Sequence, residues 1–470
     1  MREHARTAPS RTAVLALACA AQFMVVLDVS VVNVALPPIR ESLGFTSAGV
    51  QWVAGAYALA FAGFLLLGGR LADLYGRAQV FTAGLVLFTA ASLVGGLADT
   101  PGLLVTARAA QGLGAAVIAP ATLTLVTTTF TDGPERVRAL AVWTAVSLAG
   151  GATGNLVGGA LTHVFSWRSV LLINVPIGLF ALLGTVRRST DEHRRPATTG
   201  SLDVPGALAG TTALTALVYG LTRASEHGWA DPWTAMALTC GGVALAGFVA
   251  VEFRAPTPLL PPRLLSDRAT GVGTALMALS GACLQIPMWF FLAFHMHDVL
   301  GFTALETGLG FLPHTLVTMI VGRYTAPWLM ERVQARLLIA IGALVTSAGF
   351  AWQASALSAD TYLGAIVGPA VVISVGAGLS TTPLTAVITS GAHPEDAGAV
   401  SGLLNTAKQA GGALGLALLT TLIVDRNPAS SEGHEYALVF WPLAAIQAVV
   451  VLLSPALPSR SPTGGREGAR

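Results

Sequence analysis

Apolar positions along the chain gather into fourteen long runs, and polar positions are largely confined to the short connections between them. The runs lie at about 12–36, 50–69, 79–97, 103–128, 139–162, 169–186, 203–221, 233–251, 270–294, 307–330, 337–356, 362–388, 398–424 and 437–456. Each approaches the ~20 residues that a helix needs to cross bilayer hydrocarbon. Backbone polar groups in lipid must be satisfied within their own segment, so the runs are predicted to be helices. The connections carry turn chemistry such as Pro37-Pro38, Asp132-Gly133-Pro134 and Asn427-Pro428. The longest hydrophilic stretches, 187–202 and 252–269, bracket the seventh and eighth runs. The pattern predicts an all-α polytopic membrane protein with a six-helix bundle in 1–187, two additional spans in a linker over 188–268, and a six-helix bundle with a short tail in 269–470.

Composition excludes a water-soluble core of ordinary kind. The chain of 470 residues is 53% hydrophobic and 11% charged, with a mean hydropathy of +0.68. Charge sets the orientation. With the N-terminus inside, alternate connections hold nineteen of the 26 Lys and Arg, including Arg187, Arg188, Arg194 and Arg195; the opposite connections hold four and the runs hold three. That skew predicts cytoplasmic termini. The net charge of +2 is therefore topogenic, and no basic-aromatic surface suggests nucleic acid. The first run is too long for a secretory leader and lacks a small-residue cleavage site, so it is expected to be retained. Cys19, Cys240 and Cys283 all lie in runs, far apart, with no disulfide framework or metal-ligand spacing.

A weak internal repeat supports the two-bundle layout. Gly69 to Arg77 ends the second run, and Leu329 to Arg336 ends the tenth; both place an acid just past an apolar helix with a basic residue shortly after. Parallel repeats of six helices would produce this correspondence.

Four further stretches carry a resemblance. Leu27 to Pro37 reads Leu-Asp-Val-Ser-Val-Val-Asn-Val-Ala-Leu-Pro, and Arg108, Gln111, Gly112 and Gly114 mark the fourth run. Gly150, Gly154, Gly158 and Gly159 mark the fifth, and Ser401 to Gln409 followed by Gly411-Gly412 marks the thirteenth. With Gly69–Arg77, these resemble the motifs of the major facilitator superfamily, in its fourteen-span drug:proton antiporter branch. The resemblance covers nearly the whole chain. Asn155 stands where the fifth-span motif usually has proline, and Leu74 and Ala78 replace the usual basic residues of the loop motif. The resemblance implies the major facilitator fold, two bundles around a central cavity, and export of amphipathic drugs, antibiotics or secondary metabolites.

The candidate residues divide by chemistry. Asp28 lies about sixteen residues into its run, and intramembrane carboxylates usually face a polar cavity and are functional. Burial favours its protonated form and a nearby cation its ionised form. It is the candidate proton-coupling group, against the alternative of a structural acid locked to a neighbouring helix. Arg108 is expected either to bias that protonation or to tie helices four and one together at the cytoplasmic side. Asn33, Gln111, His314, Asn405, Lys408 and Gln409 are candidates for a substrate cavity; Lys408, the only lysine, would oppose Asp28 and favour acidic or neutral substrates. His295 and His297 are weaker candidates for a proton path. Trp289, Phe290, Phe291 and Phe294 are read either as contacts to a flat substrate or as interfacial anchors.

Gly69, Asp73, Gly76 and Arg77 form the candidate gating loop, with Asp73 proposed to cap a helix of the other bundle and latch the outward-facing state. Gly150, Gly154, Gly158 and Gly159 predict a close helix approach, extended to a smooth seam between the bundles, on which Asn155 should find a hydrogen-bond partner.

No Gly-x-x-x-x-Gly-Lys-Ser/Thr loop occurs, and the sole lysine is intramembrane, so ATP is not the expected energy source. No cofactor is expected; a proton gradient would supply the energy, with a monomer in the bacterial cytoplasmic membrane and lipid, protons and a small amphipathic molecule as its partners. A facilitator or uptake carrier of the same fold is the alternative. A membrane-embedded enzyme would need a His, Asp or Glu cluster near one face, and the histidines are scattered.

Overall fold

The computed structural model describes residues 11–130, 133–186, 204–255, 258, 262–357, 361–390, 396–422 and 432–458. The arginine-rich stretch 187–202 lies outside the described residues. Helices coincide with the apolar runs. The first six are α1 (Arg11–Leu43), α2 (Gln51–Tyr75), α3 (Arg77–Gly96), α4 (Pro101–Thr129), α5 (Gly133–Val164) and α6, built from Ser169–Leu172 and Asn174–Val186. Two more, α7 (Val204–His227) and α8 (Pro232–Arg254), form a hairpin. The remainder are α9 (Arg268–Leu284, then Pro287–Phe294 and a π turn His295–Val299) and α10 (Ala304–Gly310, Leu312–Ile320, a π turn Val321–Thr325 and Ala326–Met330). After them come α11 (Ala335–Ala356), α12 (a π turn Leu363–Val367, then Gly368–Ser390), α13 (Ala397–Thr420) and α14 (Glu432–Leu453).

Ten helical stretches among the described residues are long and apolar enough to cross a membrane, and Gln51–Leu65 and Ser169–Thr185 are shorter apolar stretches among them. The chain is thus an all-helical, multi-pass membrane protein.

Packing follows from small residues. Lipid tails are as apolar as leucine, so helices associate through close van der Waals contact rather than through expulsion of water. A Cβ on Gly112 would run into the Tyr57 carbonyl of α2, and one on Gly342 would stand 2.6 Å from Ser380 N of α12. Within the first six helices, α4 packs on α2, α3 and α1, and α5 packs along α1. Within the last six, α11 packs on α12 and α14, and α9 on α13. The two sets meet where α2 touches α13, α5 touches α10 and α1 touches α9. The α7–α8 hairpin leans on α2 and α13 through α7, while α8 exposes Trp233, Val243 and Phe253 outward, as a lipid-facing helix would.

Among the described residues, hydrogen bonds between the two sets lie at mid-depth or at one end. Thr406 Oγ1 donates to Ala62 O at 3.1 Å at mid-depth. At the end remote from the α2–α3 junction, Arg40 of α1 donates to both oxygens of Asp298, at 3.1 and 2.9 Å. Tyr436 of α14 donates to the same carboxylate at 2.6 Å, and His297 lies 3.2 Å from Glu41. Gln51 joins three helices there, donating to Thr222 of α7 at 3.1 Å and accepting from Thr420 of α13 at 3.2 Å. At the α2–α3 end, the described ion pairs stay within one set: Arg11 with Glu135, and Arg263 with Asp396. This structure is closed at one end.

Candidate functional site

Asp28 is 0% exposed and accepts three side-chain hydrogen bonds. Its Oδ2 receives Arg108 Nη1 at 2.5 Å. Its Oδ1 receives Gln111 Nε2 at 3.1 Å and Asn174 Nδ2 at 2.7 Å. Both oxygens act only as acceptors, which is the pattern of an ionised carboxylate. Arg108, 1% exposed, also donates from Nε to Val53 O at 2.9 Å and from Nη1 to Gln111 Oε1 at 3.0 Å. Its guanidinium lies 4.5 Å from the Tyr57 ring centroid. Gln111 reaches on to Ser92 Oγ at 2.7 Å, and Ser92 back-bonds to Phe88 O at 2.8 Å. Helices α1, α2, α3, α4 and α6 therefore converge on one buried charge pair.

Local sequence explains the convergence. Arg108 and Gln111 are three residues apart, so they share one face of α4. Ile173 separates the two parts of α6, and Asn174 begins the second part next to Asp28. Asn174, Ser92 and Tyr57 were not among the residues singled out from sequence; isolated polar residues in apolar runs carry no spacing that names their partner.

Several expectations need correction. The Asp28–Arg108 link ties helices one and four as one reading had it, with Arg108 seven residues inside the first residue of α4 and Asp28 seventeen residues inside that of α1. Asp28 is near the middle of α1, twelve residues before Arg40. Asn33, expected at a substrate cavity, is half-buried and lies about 140° around α1 from Asp28 by helical geometry, on a different face from the charge pair. Gly150, Gly154 and Gly158 pack against Phe23, Ser30 and Val31 of α1, within one bundle rather than between bundles. Gly159 does face the other set, where a Cβ would stand 2.5 Å from Ala304 O of α10. Asn155 is 3% exposed and its Oδ1 has no hydrogen-bond partner, because the facing position is Gly308, whose added Cβ would touch the Asn155 carbonyl. Phe290, Phe291 and Phe294 are core side chains, neither anchors nor cavity wall.

His314 is buried, with Nδ1 3.1 Å from Ser374 Oγ and Nε2 unpartnered; Trp289, half-buried, meets it edge-on at 5.8 Å. His295 is 0% exposed with neither ring nitrogen partnered, so it lines no open path here. Asn405 bonds back to Ser401 O at 2.9 Å, and Gln409 Oε1 lies 3.4 Å from Gln285 Nε2. Lys408 is exposed. In the loop motif, Gly76 ends α2 with φ of 94°, a conformation that favours glycine. The side-chain surroundings of Gly69, Asp73 and Arg77, and with them the proposed latch, lie outside the described residues. No group of three His, Cys, Asp or Glu side chains suited to a metal ion occurs among the described residues.

A buried charge pair inside a bundle of membrane helices, beside a second bundle that meets it at several helix pairs, is an arrangement that suits a membrane transporter. The Major Facilitator Superfamily pattern matches residues 18–416, and the chain belongs to that family. It is 50% identical over 460 residues to the cephamycin export protein CmcT of Amycolatopsis lactamdurans, covering 97% of this chain and 94% of that one. It is 40% identical to the puromycin resistance protein pur8 of Streptomyces alboniger, covering 91% and 84%. It is 32% identical to the lincomycin resistance protein of Streptomyces lincolnensis, covering 96% and 92%. The fold is also similar to that of the POT family transporter PepTSo in its in meso crystal structure, at 14% identity, with a TM-score of 0.70 over 95% and 96% of the two chains.

Proposed function

We propose that this chain is a proton-coupled exporter of amphipathic antibiotics or related small molecules, working by alternating access. The observation that carries the coupling is Asp28, enclosed with Arg108, Gln111 and Asn174 inside the first bundle. The direction of transport is carried by its relatives, whose names speak of antibiotic export and resistance. Fourteen spans with cytoplasmic termini, arranged as bundles over 1–187 and 269–470 with an inserted pair over 188–268, fit the charge skew of the connections. In that orientation the end closed by Arg40, Asp298 and Tyr436 is extracellular, and this structure is an inward-facing state. The protein acts as a monomer and draws on the proton gradient without a cofactor.

The chemistry follows from the charge pair. In this state the ionised carboxylate is neutralised by Arg108, so no uncompensated charge is buried. Opening the extracellular end would admit a proton to Asp28. Protonation removes its charge and releases Arg108, which then needs a new set of acceptors. A pair with two arrangements, each preferred by one protonation state, links proton entry to the tilt of the bundles.

The test is a drug-susceptibility panel on cells producing the protein or its Asp28→Asn variant. Raised tolerance to at least one amphipathic antibiotic, lost in the variant, is the expected result. No shift across a broad panel with the protein present in the membrane would overturn the exporter reading.

A further inference from the structure

The three cations inside the apolar runs have three different fates. Arg108 is paired with Asp28. Arg323, exposed, lies seven residues from the end of α10 at Met330, roughly 10 Å by helical rise, within reach of a snorkelling side chain. Lys408 has neither solution. It lies roughly 16 Å from the first residue of α13 and 18 Å from the last, too deep for its stem to reach an interface. It makes no hydrogen bond or ion pair among the described residues. Among the described residues between 269 and 456, every carboxylate lies at a helix end or in a connection.

Lys408 shares its face with polar groups. Asn405 and Gly412, three and four residues away, lie on the same side of α13, while buried Gln409, the next residue, is turned about 100° from it. Gly412 packs where an added Cβ would stand 3.1 Å from Gln285 Cβ, and Gln285 faces Gln409. Gln285 is the last residue before α9 breaks at Ile286-Pro287. Interrupted helices near the membrane midplane form the binding sites of many transporters. Half-buried Trp289, four residues on, adds an aromatic wall. A lipid-facing side would not carry an amide and a lysine beside a broken helix.

We propose that Lys408 is the docking cation for the anionic group of an amphipathic substrate. Gln285 and Asn405 supply hydrogen bonds to the anion, and Trp289 contacts the apolar body. An exposed ammonium at this depth without a counter-charge is costly in a membrane protein, and a bound carboxylate or sulfonate supplies that charge. Lipid phosphates sit too far away, at the membrane surfaces. The inference rests on the transporter reading above and narrows it to anionic ligands.

The test uses two pyrene probes of matched shape, 1-pyrenebutyrate and neutral 1-pyrenebutanol. Binding to the purified full chain is read by energy transfer from tryptophan, and export by pyrene efflux from cells. Wild type should bind the carboxylate more tightly than the alcohol. Lys408→Gln should weaken carboxylate binding about tenfold or more and leave alcohol binding within twofold, while Lys408→Arg keeps most of the preference. Equal weakening of both probes, no weakening of either, or no charge preference in wild type would overturn the proposal. Lys408-dependent carboxylate binding without efflux of either probe would uphold the docking site and count against the exporter reading instead.

Discussion

Arg108 and Asp28, eighty residues apart in the chain, stand 2.5 Å from one another with both side chains shut away from solvent. The pair is tied into the bundle at every donor that can reach: Val53 and Gln111 hold the guanidinium, Gln111 and Asn174 hold the carboxylate. Breaking a buried ion pair from one side leaves an uncompensated charge, which typically costs about 3–5 kcal/mol. Arg108→Gln is therefore expected to lower thermal stability in detergent more than the double variant Asp28→Asn/Arg108→Gln, which buries no charge. A single variant as stable as the double would show that the pair contributes no such coupling.

The closure at the end remote from the α2–α3 junction makes a second prediction. Asp298 receives Arg40 through both oxygens and Tyr436 through one, so it binds α1, α9 and α14 together. Asp298→Asn removes the charge while keeping the size. Backbone amides of 39–43 and 295–302 should then exchange with deuterium several-fold faster, read by mass spectrometry, because the closed state is less populated. Unchanged exchange in both segments would mean that the cluster does not hold this end shut.

Glycine positions separate bundle folding from bundle movement. Gly154→Leu drives a side chain into Ser30 on α1, and overpacking of this kind costs about 1–3 kcal/mol. It should lower the melting temperature and the yield of folded protein. Gly159→Leu instead meets α10 in the other set; it should leave folding of each bundle intact and impair transport. Gly55, with nothing within 4 Å of an added Cβ, is the control, and Gly55→Ala should change neither property.

Asp231 supplies a pH-dependent contribution outside the membrane. It caps α8, accepting from Thr234 N at 2.9 Å, and pairs with Arg223 Nε at 2.7 Å. The Arg223 hydrogen bond is the largest influence, and the carboxyl is held below its ordinary value of 3.8. A depressed folded-state value means the contribution is present above the unfolded-state value and is lost as pH falls through the folded one. The melting temperature of Asp231→Asn should thus lie below wild type at pH 7 and converge with it well below pH ~3.8. A gap that persists in strong acid would contradict the assignment.

What could be read from sequence depended on the range of each signal. Apolar runs near the length of a membrane span are local, and each falls on a helix here. Asp28 and Arg108 stood out because a charge in an apolar run is rare, and both lie in the buried network. Asn174 and Ser92 escaped notice because a lone amide or hydroxyl in a membrane helix has no spacing that names its partner. Arg40, Asp298 and Tyr436 escaped for another reason: each sits near a helix end, where polar residues are ordinary, and 258 positions separate the first two. The glycine stripe announced a close helix approach without naming the helix approached, so its assignment to the seam between bundles failed for Gly150, Gly154 and Gly158.

The central claim is that proton transfer at Asp28 drives export, and reconstitution tests it most directly. In proteoliposomes loaded with an exported substrate, wild type should move it against its gradient when a pH gradient is imposed. Asp28→Asn, folded and inserted to the same extent, should lose that concentrative transport. Concentrative transport by Asp28→Asn at the wild-type rate under the same pH gradient would contradict the account.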